Sequence, residues 1–506
     1  MKIYKATVIG IILLTGLWGC ERDAEIIETP LEAAGYEFWT KHSEVVEFSE
    51  LLDAQTDIIT TQQLGYSEQK RDIYYFKVSE NEQFSSDDNK LTALIFGQQH
   101  GDEPSGNDAL LKILRDIATG EHQQILEYMD LLIVPQVNPD GAEILERRNA
   151  EDVDLNRSHL ILDGKETRPL RDLFHRWKPE VTLDVHQYQP WVDSWIDHGF
   201  IRLFDEQYGL PTNVNTAEDI RDLAEGPFLD YIAEHLDQEG FTFHNYLIGD
   251  PESIRYSTTN INDGRQGFAI MNTFSLILEG RRARGDQENI RHRKAGQVAA
   301  IEGLLQFSVD HKEEIASAVQ ESRRDITDGR INEFILTMKR EQTGEPLTIP
   351  VLEVYETEDD DYAKGDTIEV DIDNYNPLVT PARTTEMPEG YIIPEDHSEI
   401  AELLFDHQVE YRELEGGENL QAEVFRIEDF TEEEFESPTM IPVGETRSVN
   451  YEASPGDIFI PTAQLRGLMI ATALEAQSMH GLIQYDEFEN LKQEGDFPVL
   501  RVTSEL

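Results

Sequence analysis

The sequence predicts an α/β fold in which a mixed, mostly parallel sheet is flanked by helices and is followed by a smaller, mostly β domain. Two observations lead to this prediction. Between residues 70 and 325, short apolar runs alternate with amphipathic stretches, as in strands buried on both faces and the helices that cover them. From residue 330 to 506 the pattern changes to short alternating strands and turns, which is typical of a β domain.

Five apolar runs in the first domain have the length and flanks of buried strands. They are IYYFKV (73–78), LTALIFG (91–97), LLIVPQV (131–137), VTLDVH (181–186) and FSLILEG (274–280). Three segments have the apolar spacing of helices: NDALLKILRDIATG, FLDYIAEHLDQEG and ENIRHRKAGQVAAIEGLLQF. We expect residues 21–69 to be a tether and lead-in. In the β domain we expect HSEIAELLFDHQV to be helical and EDFTEEEFES to be an acidic surface loop.

The charge of the chain excludes one class of partner. Its 506 residues include 42 Lys and Arg against 101 Asp and Glu, which gives a net charge of -59. Such a surface repels nucleic acid, and its self-repulsion is tolerated best where salt screens charges over short distances. The composition therefore predicts no nucleic-acid partner and a halophilic source. We also expect a monomer.

The N-terminus predicts export. MKIYK carries two lysines, and the uncharged, mainly apolar stretch ATVIGIILLTGLWG leads to Cys20, the only cysteine in the chain. The segment resembles a bacterial lipoprotein signal, so residues 1–20 would be a signal peptide that ends at a lipidated Cys20. The resemblance implies a protein anchored by lipid to the cell envelope, on its periplasmic or cell-surface face. The exported protein would have no internal disulfide.

Polar side chains follow several of the predicted strands. His100 and Glu103 follow LTALIFG, the string NPDG follows LLIVPQV, His186 ends VTLDVH and Glu279 ends FSLILEG. Ligands of open α/β sheets bind beyond the carboxyl ends of the strands. His100, Glu103 and His186 supply the two imidazoles and one carboxylate of a hydrolytic zinc site. The alternatives are a polar turn with a capped helix and hydrogen-bonded structural histidines.

With these motifs the chain resembles the zinc carboxypeptidase family, built like pancreatic carboxypeptidase A. The resemblance rests on HGDE (100–103), NPDG (138–141), RRNAEDVDLNR (147–157), DVH (184–186) and LILEGR (276–281), in the order of the family. It covers roughly residues 70 to 315 and implies a zinc peptidase catalytic domain over residues 70–325.

The resemblance also implies roles for the residues at the strand ends. His100, Glu103 and His186 would bind one Zn²⁺, and Glu279 would be the general base that takes a proton from water. Asp184 is expected to face away from the site as a structural residue. The alternative is that it lies behind the metal ligands and supports them.

A second group would hold the substrate. Arg147 resembles the arginine that polarises the scissile carbonyl, with Arg148 as the alternative. Asn156 and Arg157 match the pair that binds the terminal carboxylate of a peptide. Asp152 stands where the family usually has glycine before this string, so the turn there is expected to be built differently.

Two residues are assigned to substrate binding through a looser match. Tyr256 lies at the distance from Glu279 that the mobile active-site tyrosine of the family has. Arg265 lies in the region of the specificity pocket, where it would favour an acidic substrate end or serve as a structural arginine.

The sequence thus predicts a zinc metallocarboxypeptidase that cleaves C-terminal peptide bonds. An alternative with the same chemistry is a peptidoglycan stem-peptide hydrolase that cuts a γ-D-glutamyl–diamino acid bond, towards which Arg265 would lean. A third alternative, from another class, is a non-catalytic peptide-binding lipoprotein. The β domain would orient the enzyme or narrow its range of peptide or muropeptide substrates.

Overall fold

A computed structural model of the chain describes residues 27–80, 89–285, 287–357 and 361–503. The predicted signal peptide and Cys20 lie outside these residues, so export, lipid anchoring and the envelope location stay predictions. Within the described ranges, no helix combines the length and the apolar character needed to cross a bilayer.

The elements are numbered in chain order. The strands of the first part are β1 (Ile59–Tyr66), β2 (Asp72–Val78), β3 (Leu91–Gly97), β4 (Met129–Val134), β5 (Val181–Tyr188), β6 (Phe200–Arg202), β7 (Glu206–Gly209), β8 (Phe243–Asn245), β9 (Leu247–Asp250), β10 (Ser253–Tyr256) and β11 (Phe274–Arg281). Those of the C-terminal part are β12 (Glu333–Glu341), β13 (Leu347–Glu356), β14 (Tyr362–Ile372), β15 (Tyr375–Asn376), β16 (Leu378–Glu386), β17 (Gly390–Ile393), β18 (Arg412–Glu413), β19 (Asn419–Glu434), β20 (Pro438–Glu452), β21 (Ile458–Pro461), β22 (Gly495–Asp496) and β23 (Leu500–Val502). The helices are α1 (Pro30–Ala33), α2 (His42–Gln55), α3 (Ser105–Thr119), α4 (Pro139–Ile144), α5 (Thr167–Trp177), α6 (Asp193–Ile196), α7 (Glu218–Leu223), α8 (Leu229–Glu239), α9 (Gly264–Ala269), α10 (Ile290–Asp310), α11 (Lys312–Thr327), α12 (Ser398–Asp406) and α13 (Gly467–Leu474).

The centre of the molecule is a mixed eight-stranded sheet in the order β1-β2-β4-β3-β5-β11-β7-β8. Its four middle strands, β4, β3, β5 and β11, are parallel, and antiparallel pairs lie on either side of them. This confirms the predicted fold class. The predicted strands appear with shifted ends: β4 stops at Val134 because Pro135 has no N–H for the ladder.

Both faces of the sheet are covered, as its continuous apolar strands require. Along β3, Ala93 and Ile95 pack into one core with side chains of α2, α3, α8 and α10. Leu94 and Phe96 point the other way, into a second core with α5 and α9. This alternation follows from the two-residue period of a strand.

The segment before residue 70 belongs to the sheet. We expected a tether and lead-in over 21–69, but β1 pairs antiparallel with β2 over seven Cα pairs, from Ile59↔Val78 to Tyr66↔Asp72. The apolar side of α2, including Phe48 and Leu52, is buried in the core that α3 and α10 share. The apolar alternation in ITTQQLGY is too weak to predict this edge strand from sequence. Backbone pairing with β2 holds it in the sheet.

Residues 330–506 are mostly β, as predicted, but their core is not separate. The helix α13 reads GLMIATAL, and all eight of its residues are buried. It lies in the same apolar cluster as Leu94 and Phe96 of the central sheet. A helix that is apolar on every side has to be covered on every side, and the first domain provides part of that cover.

The acidic string EDFTEEEFES also differs from its prediction as a surface loop. Most of it extends β19 in a long hairpin with β20, and Glu436 at the tip turns inwards. The Glu436 carboxylate lies 2.6 Å from Arg340 Nη2 and accepts the backbone N–H of Thr259 at 2.8 Å. The hairpin therefore contacts the loop that follows β10.

Asp108 of α3 is an ionisable group inside the first core. It is fully buried, its carboxylate accepts the Thr40 N–H at 3.3 Å, and it also bonds the Thr40 hydroxyl. Burial raises the pKa of Asp108 to about 7, although both Thr40 hydrogen bonds act in the opposite direction. Because the unfolded value is about 3.9, the stability that this proton provides is fully present below about pH 4 and is lost as the pH rises through about 7.

We predict that Asp108→Asn removes this pH dependence. The asparagine amide accepts the Thr40 N–H and donates to its hydroxyl without ionising. The variant should therefore gain about 1 to 4 kcal/mol of unfolding free energy over the wild type at pH 8 and little or nothing at pH 4. Urea unfolding at both pH values measures this. Asp222→Asn, at an exposed position of α7, is the control, and parallel pH profiles for the wild type and Asp108→Asn would contradict the prediction.

Candidate metal centre and active site

Three neighbouring parallel strands bring the residues predicted at strand ends to one edge of the sheet. β3, β5 and β11 are adjacent in that order, so their carboxyl ends meet. His100 and Glu103 lie in the turn after β3, and His186 of β5 is directly opposite Glu279 of β11. His100, Glu103 and Glu279 line a cavity of about 300 Å³, and His186 contacts Glu103.

The three predicted ligands form a compact, buried cluster. His100 Nδ1 lies 2.9 Å from Glu103 Oε1, and His186 Nδ1 lies 2.8 Å from Glu103 Oε2. The two Nδ1 atoms face each other at 3.0 Å. One ligand atom from each residue lies within 4.8 Å of the others.

The second ring nitrogen of each histidine is held by a carboxylate. His100 Nε2 lies 3.0 Å from Asp154 Oδ1, and His186 Nε2 lies 2.8 Å from Asp184 Oδ1. Such partners fix the tautomer and leave Nδ1 as the free electron pair. The expectation that Asp184 faces away was wrong, because residues two apart on a strand point to the same face.

The charges of the cluster favour a cation at its centre. Burial by itself would raise the pKa of Glu103, but His100 and His186 hold it well below its usual range. Burial would lower the pKa of His186, but Asp184 and Glu103 raise it well above its usual range. Two imidazole nitrogens and a carboxylate that converge in a buried space form the donor set of a catalytic zinc site. The residues present therefore fit a zinc ion.

The turn that carries His100 and Glu103 rests on the NPDG segment. A Cβ built on Gly101 would lie 2.1 Å from the backbone carbon of Gly141 and 2.5 Å from the Glu146 carbonyl oxygen, so only glycine fits. Asn138 caps α4 by accepting the Gly141 N–H at 2.9 Å. NPDG thus supports the turn and does not line the cavity.

Glu279 is a buried carboxyl beside the cluster. The pKa of Glu279 is raised to about 7, mainly by burial; Glu103 also raises it, while His186, His100 and a hydrogen bond from Tyr246 act in the opposite direction. The group therefore stands near the midpoint of its titration at neutral pH, which suits a residue that accepts and returns a proton.

Of the two adjacent arginines, Arg147 reaches the cluster. Its Nη1 lies 3.1 Å from His100 Nδ1 and 3.5 Å from Glu103 Oε1, and its Nη2 lies 3.0 Å from Asp154 Oδ2. Arg148 instead donates to the Asp152 carbonyl at 2.7 Å. Arg147 keeps 44% of its side chain exposed, so it faces the cavity opening.

Asn156 and Arg157 lie at the cavity in a short 3₁₀ turn, Leu155–Arg157. Asn156 Nδ2 is 3.3 Å from His186 Nε2, and its Oδ1 accepts the Gly264 N–H at 2.7 Å. Arg157 is exposed at the surface. In the turn before them, Asp152 adopts φ +63°, the left-handed conformation that glycine favours and aspartate tolerates.

Two predicted substrate-binding residues do not line the cavity. Tyr256 is the last residue of β10, and its side chain is buried in the apolar core around α3 and α10. Arg265 is 1% exposed, donates to the Thr258 carbonyl and lies 3.3 Å from the Asp263 carboxylate, so it is the structural arginine. Neither residue lines the cavity, because a match in spacing does not fix the direction of a side chain.

Tyr246 and Arg202 are among the cavity residues that sequence reasoning missed. Tyr246 lines the cavity and hydrogen-bonds Glu279. Arg202 of β6 lines the cavity and donates to the Leu247 carbonyl at 2.7 Å. No motif marks either residue, because each stands on a short strand or turn whose place in space depends on neighbours distant in sequence.

Comparison with known proteins agrees with this geometry. Residues 45–204 match the family model described as zinc carboxypeptidase, a span that contains the three candidate ligands and ends before Glu279. The chain is 24% identical to carboxypeptidase 2 of Trichophyton rubrum over 421 residues, which cover 81% of this chain and 76% of that protein. It is 24% identical to carboxypeptidase 2 of Trichophyton tonsurans over 445 residues, covering 85% and 79%.

A metallo-carboxypeptidase from Pseudomonas aeruginosa is among the similar solved structures, with 19% identity, a TM-score of 0.42, and coverage of 55% of this chain and 71% of that one. The family match contains the buried His-Glu-His cluster, and the carboxypeptidase relatives align over most of the chain. These matches support the zinc carboxypeptidase family for this chain.

Proposed function

We propose that this metallocarboxypeptidase removes C-terminal residues from peptides, with His100, Glu103 and His186 holding Zn²⁺ and Glu279 acting as the general base. The observation that carries the proposal is the buried cluster of three ligand atoms within 4.8 Å, next to a carboxyl on the adjoining strand. A bound Zn²⁺ supplies Lewis acidity to water and to the scissile carbonyl.

Glu279 moves the proton. Its carboxylate takes a proton from the attacking water and passes it to the nitrogen of the leaving amine. A pKa raised to about 7 by burial lets the same group act first as base and then as acid near neutral pH. Such proton transfer contributes about 10² to 10⁴ in rate.

The arginines and Asn156 orient the peptide. Arg147 lies at the opening of the cavity close to His100, where its guanidinium stabilises negative charge that develops on the carbonyl oxygen. Arg157 and Asn156 line the same cavity, and a planar guanidinium binds a carboxylate through two parallel hydrogen bonds. Together they hold the free terminal carboxylate, which limits cleavage to the last peptide bond.

The alternatives have less support. The peptidoglycan alternative leaned on Arg265, whose buried guanidinium is paired with Asp263 and does not reach the cavity. A non-catalytic binding protein would not need a buried carboxyl group with a raised pKa next to three metal ligands. Analysis of the products formed from a mixed peptide and muropeptide library distinguishes the three functions.

We predict that the activity depends on the metal that His100 helps to hold. Treatment with a zinc chelator should abolish release of the C-terminal residue, and added Zn²⁺ should restore it. His100→Ala should lower the zinc content of the purified protein, measured by mass spectrometry, because one of three ligands is lost. His198→Ala, outside the cavity, is the control. Hydrolysis that persists after complete metal removal would refute the proposal.

We predict that Glu279→Gln separates catalysis from metal binding. The variant should keep its zinc and lose at least about 100-fold in kcat, since the amide cannot accept the proton. Glu206→Gln is a matched control: Glu206 is also buried with a raised pKa, on the next strand β7, but does not line the cavity. A Glu279→Gln enzyme with near wild-type kcat would remove Glu279 from the mechanism.

A further inference from the structure

The cavity is lined by four arginines, and one of them is buried without a counter-charge. Arg147 pairs with Asp154 and Arg282 pairs with Asp102 at 2.6 Å. Arg157 is exposed to solvent, so an unpaired charge there costs little. Arg202 is only 8% exposed, and within the described ranges no carboxylate oxygen lies within 4.0 Å of its guanidinium.

Arg202 is nevertheless firmly placed. Its Nη1 donates to the Leu247 carbonyl at 2.7 Å. Its guanidinium carbon lies 4.7 Å from the ring centre of Tyr188 and 5.4 Å from that of Trp195. The backbone of β6, which carries Arg202, pairs with Val351 of β13 in the C-terminal part. These contacts fix the side chain without neutralising its charge.

The donors that remain lie on one edge of the guanidinium. Nε is buried without a hydrogen-bond partner, and Nη2 has none among the residues that the structure describes. Nε–H and Nη2–H are the two parallel donors of the side edge, which suits a carboxylate. Leaving a buried charge unpaired is costly, so a cation held open to a substrate cavity indicates an anionic group on the ligand.

Arg202 lies near the proposed general base, so an anionic group that it binds would belong to the substrate. Tyr246 hydrogen-bonds Glu279. The charges of Arg202, Arg157 and Glu279 all influence the pKa of the Tyr246 hydroxyl. The two arginines therefore act on the same hydroxyl beside the general base. In a substrate whose terminal carboxylate binds Arg157, the nearest group that can carry a second negative charge is the side chain of the last residue.

We propose that Arg202 recognises an acidic side chain at the C-terminus of the substrate, so that the enzyme prefers peptides ending in glutamate or aspartate. This inference rests on the proposed carboxypeptidase function and names its substrate class. It assigns to Arg202 the acidic preference that the sequence attributed to Arg265.

The test compares two N-blocked peptides that differ only in a terminal Glu or Gln. The wild type should hydrolyse the Glu peptide with a kcat/KM about 10- to 100-fold higher, the range of a buried charge-assisted hydrogen bond. Arg202→Gln should bring the ratio near one, mainly by raising KM for the Glu peptide, and leave the Gln peptide nearly unchanged. Arg202→Lys, which keeps the charge, should restore part of the preference.

Arg284→Gln is the control, because Arg284 is exposed, pairs with Asp361 and does not line the cavity. A wild-type ratio near one, a preference for basic ends, an unchanged ratio in Arg202→Gln or an equal loss on both peptides would overturn the proposal. Hydrolysis of the Gln peptide by the wild type tests the carboxypeptidase function separately from Arg202.

A binding measurement covers the case in which turnover is low or a variant folds poorly. Zinc-loaded Glu279→Gln protein should bind N-acetyl-L-glutamate more tightly than N-acetyl-L-glutamine in calorimetry, by about 10-fold or more. Adding Arg202→Lys to this protein should reduce the difference. Equal affinities for the two ligands would overturn the role of Arg202 whatever the rate of hydrolysis.

Discussion

Burying two imidazoles and a carboxylate against one another costs desolvation free energy, and His100, Glu103 and His186 are all at most 4% exposed. The neighbouring groups offset this cost. Asp154 and Asp184 hold the outer ring nitrogens, and Asn156 also approaches His186. Asp154 and Asn156 stand on the loop after α4 and Asp184 on β5, so this loop and the sheet must both be in place before the cluster can form.

The parallel alignment of β3, β5 and β11 meets that requirement. It sets His186 opposite Glu279 in the register and brings the turn after β3 to the same edge. Gly101 lets this turn lie directly on α4. The rigid parts of the site are thus carried by strands and one tight turn, which position side chains more reproducibly than long loops do.

The C-terminal part of the chain completes the outer wall of the site. Its strand β13 pairs with β6, next to the cavity. Arg340 donates to the carbonyl of Tyr256 at 2.7 Å, and Glu436 accepts the N–H of Thr259. These contacts hold the backbone that leads to Thr258 and Asp263 of the cavity. The accessory region therefore supports this wall of the cavity, in addition to covering the sheet.

The chain by itself predicted the fold class, the candidate ligand set and the candidate base, because apolar runs and the residues after them are local features. His100, Glu103, His186, Asn156 and Arg157 were all found from motifs of this kind. The direction of a side chain is not local. Asp184 was therefore expected to face away but contacts His186, Tyr256 and Arg265 lie outside the cavity, and Tyr246 and Arg202 were missed. Their roles depend on strand pairing and burial: β13 beside β6 sets the place of Arg202, and the Asp263 carboxylate neutralises Arg265. Only the tertiary structure decides which arginine is paired and which is left facing the cavity, since electrostatic pairing acts over a few ångströms between residues far apart in sequence.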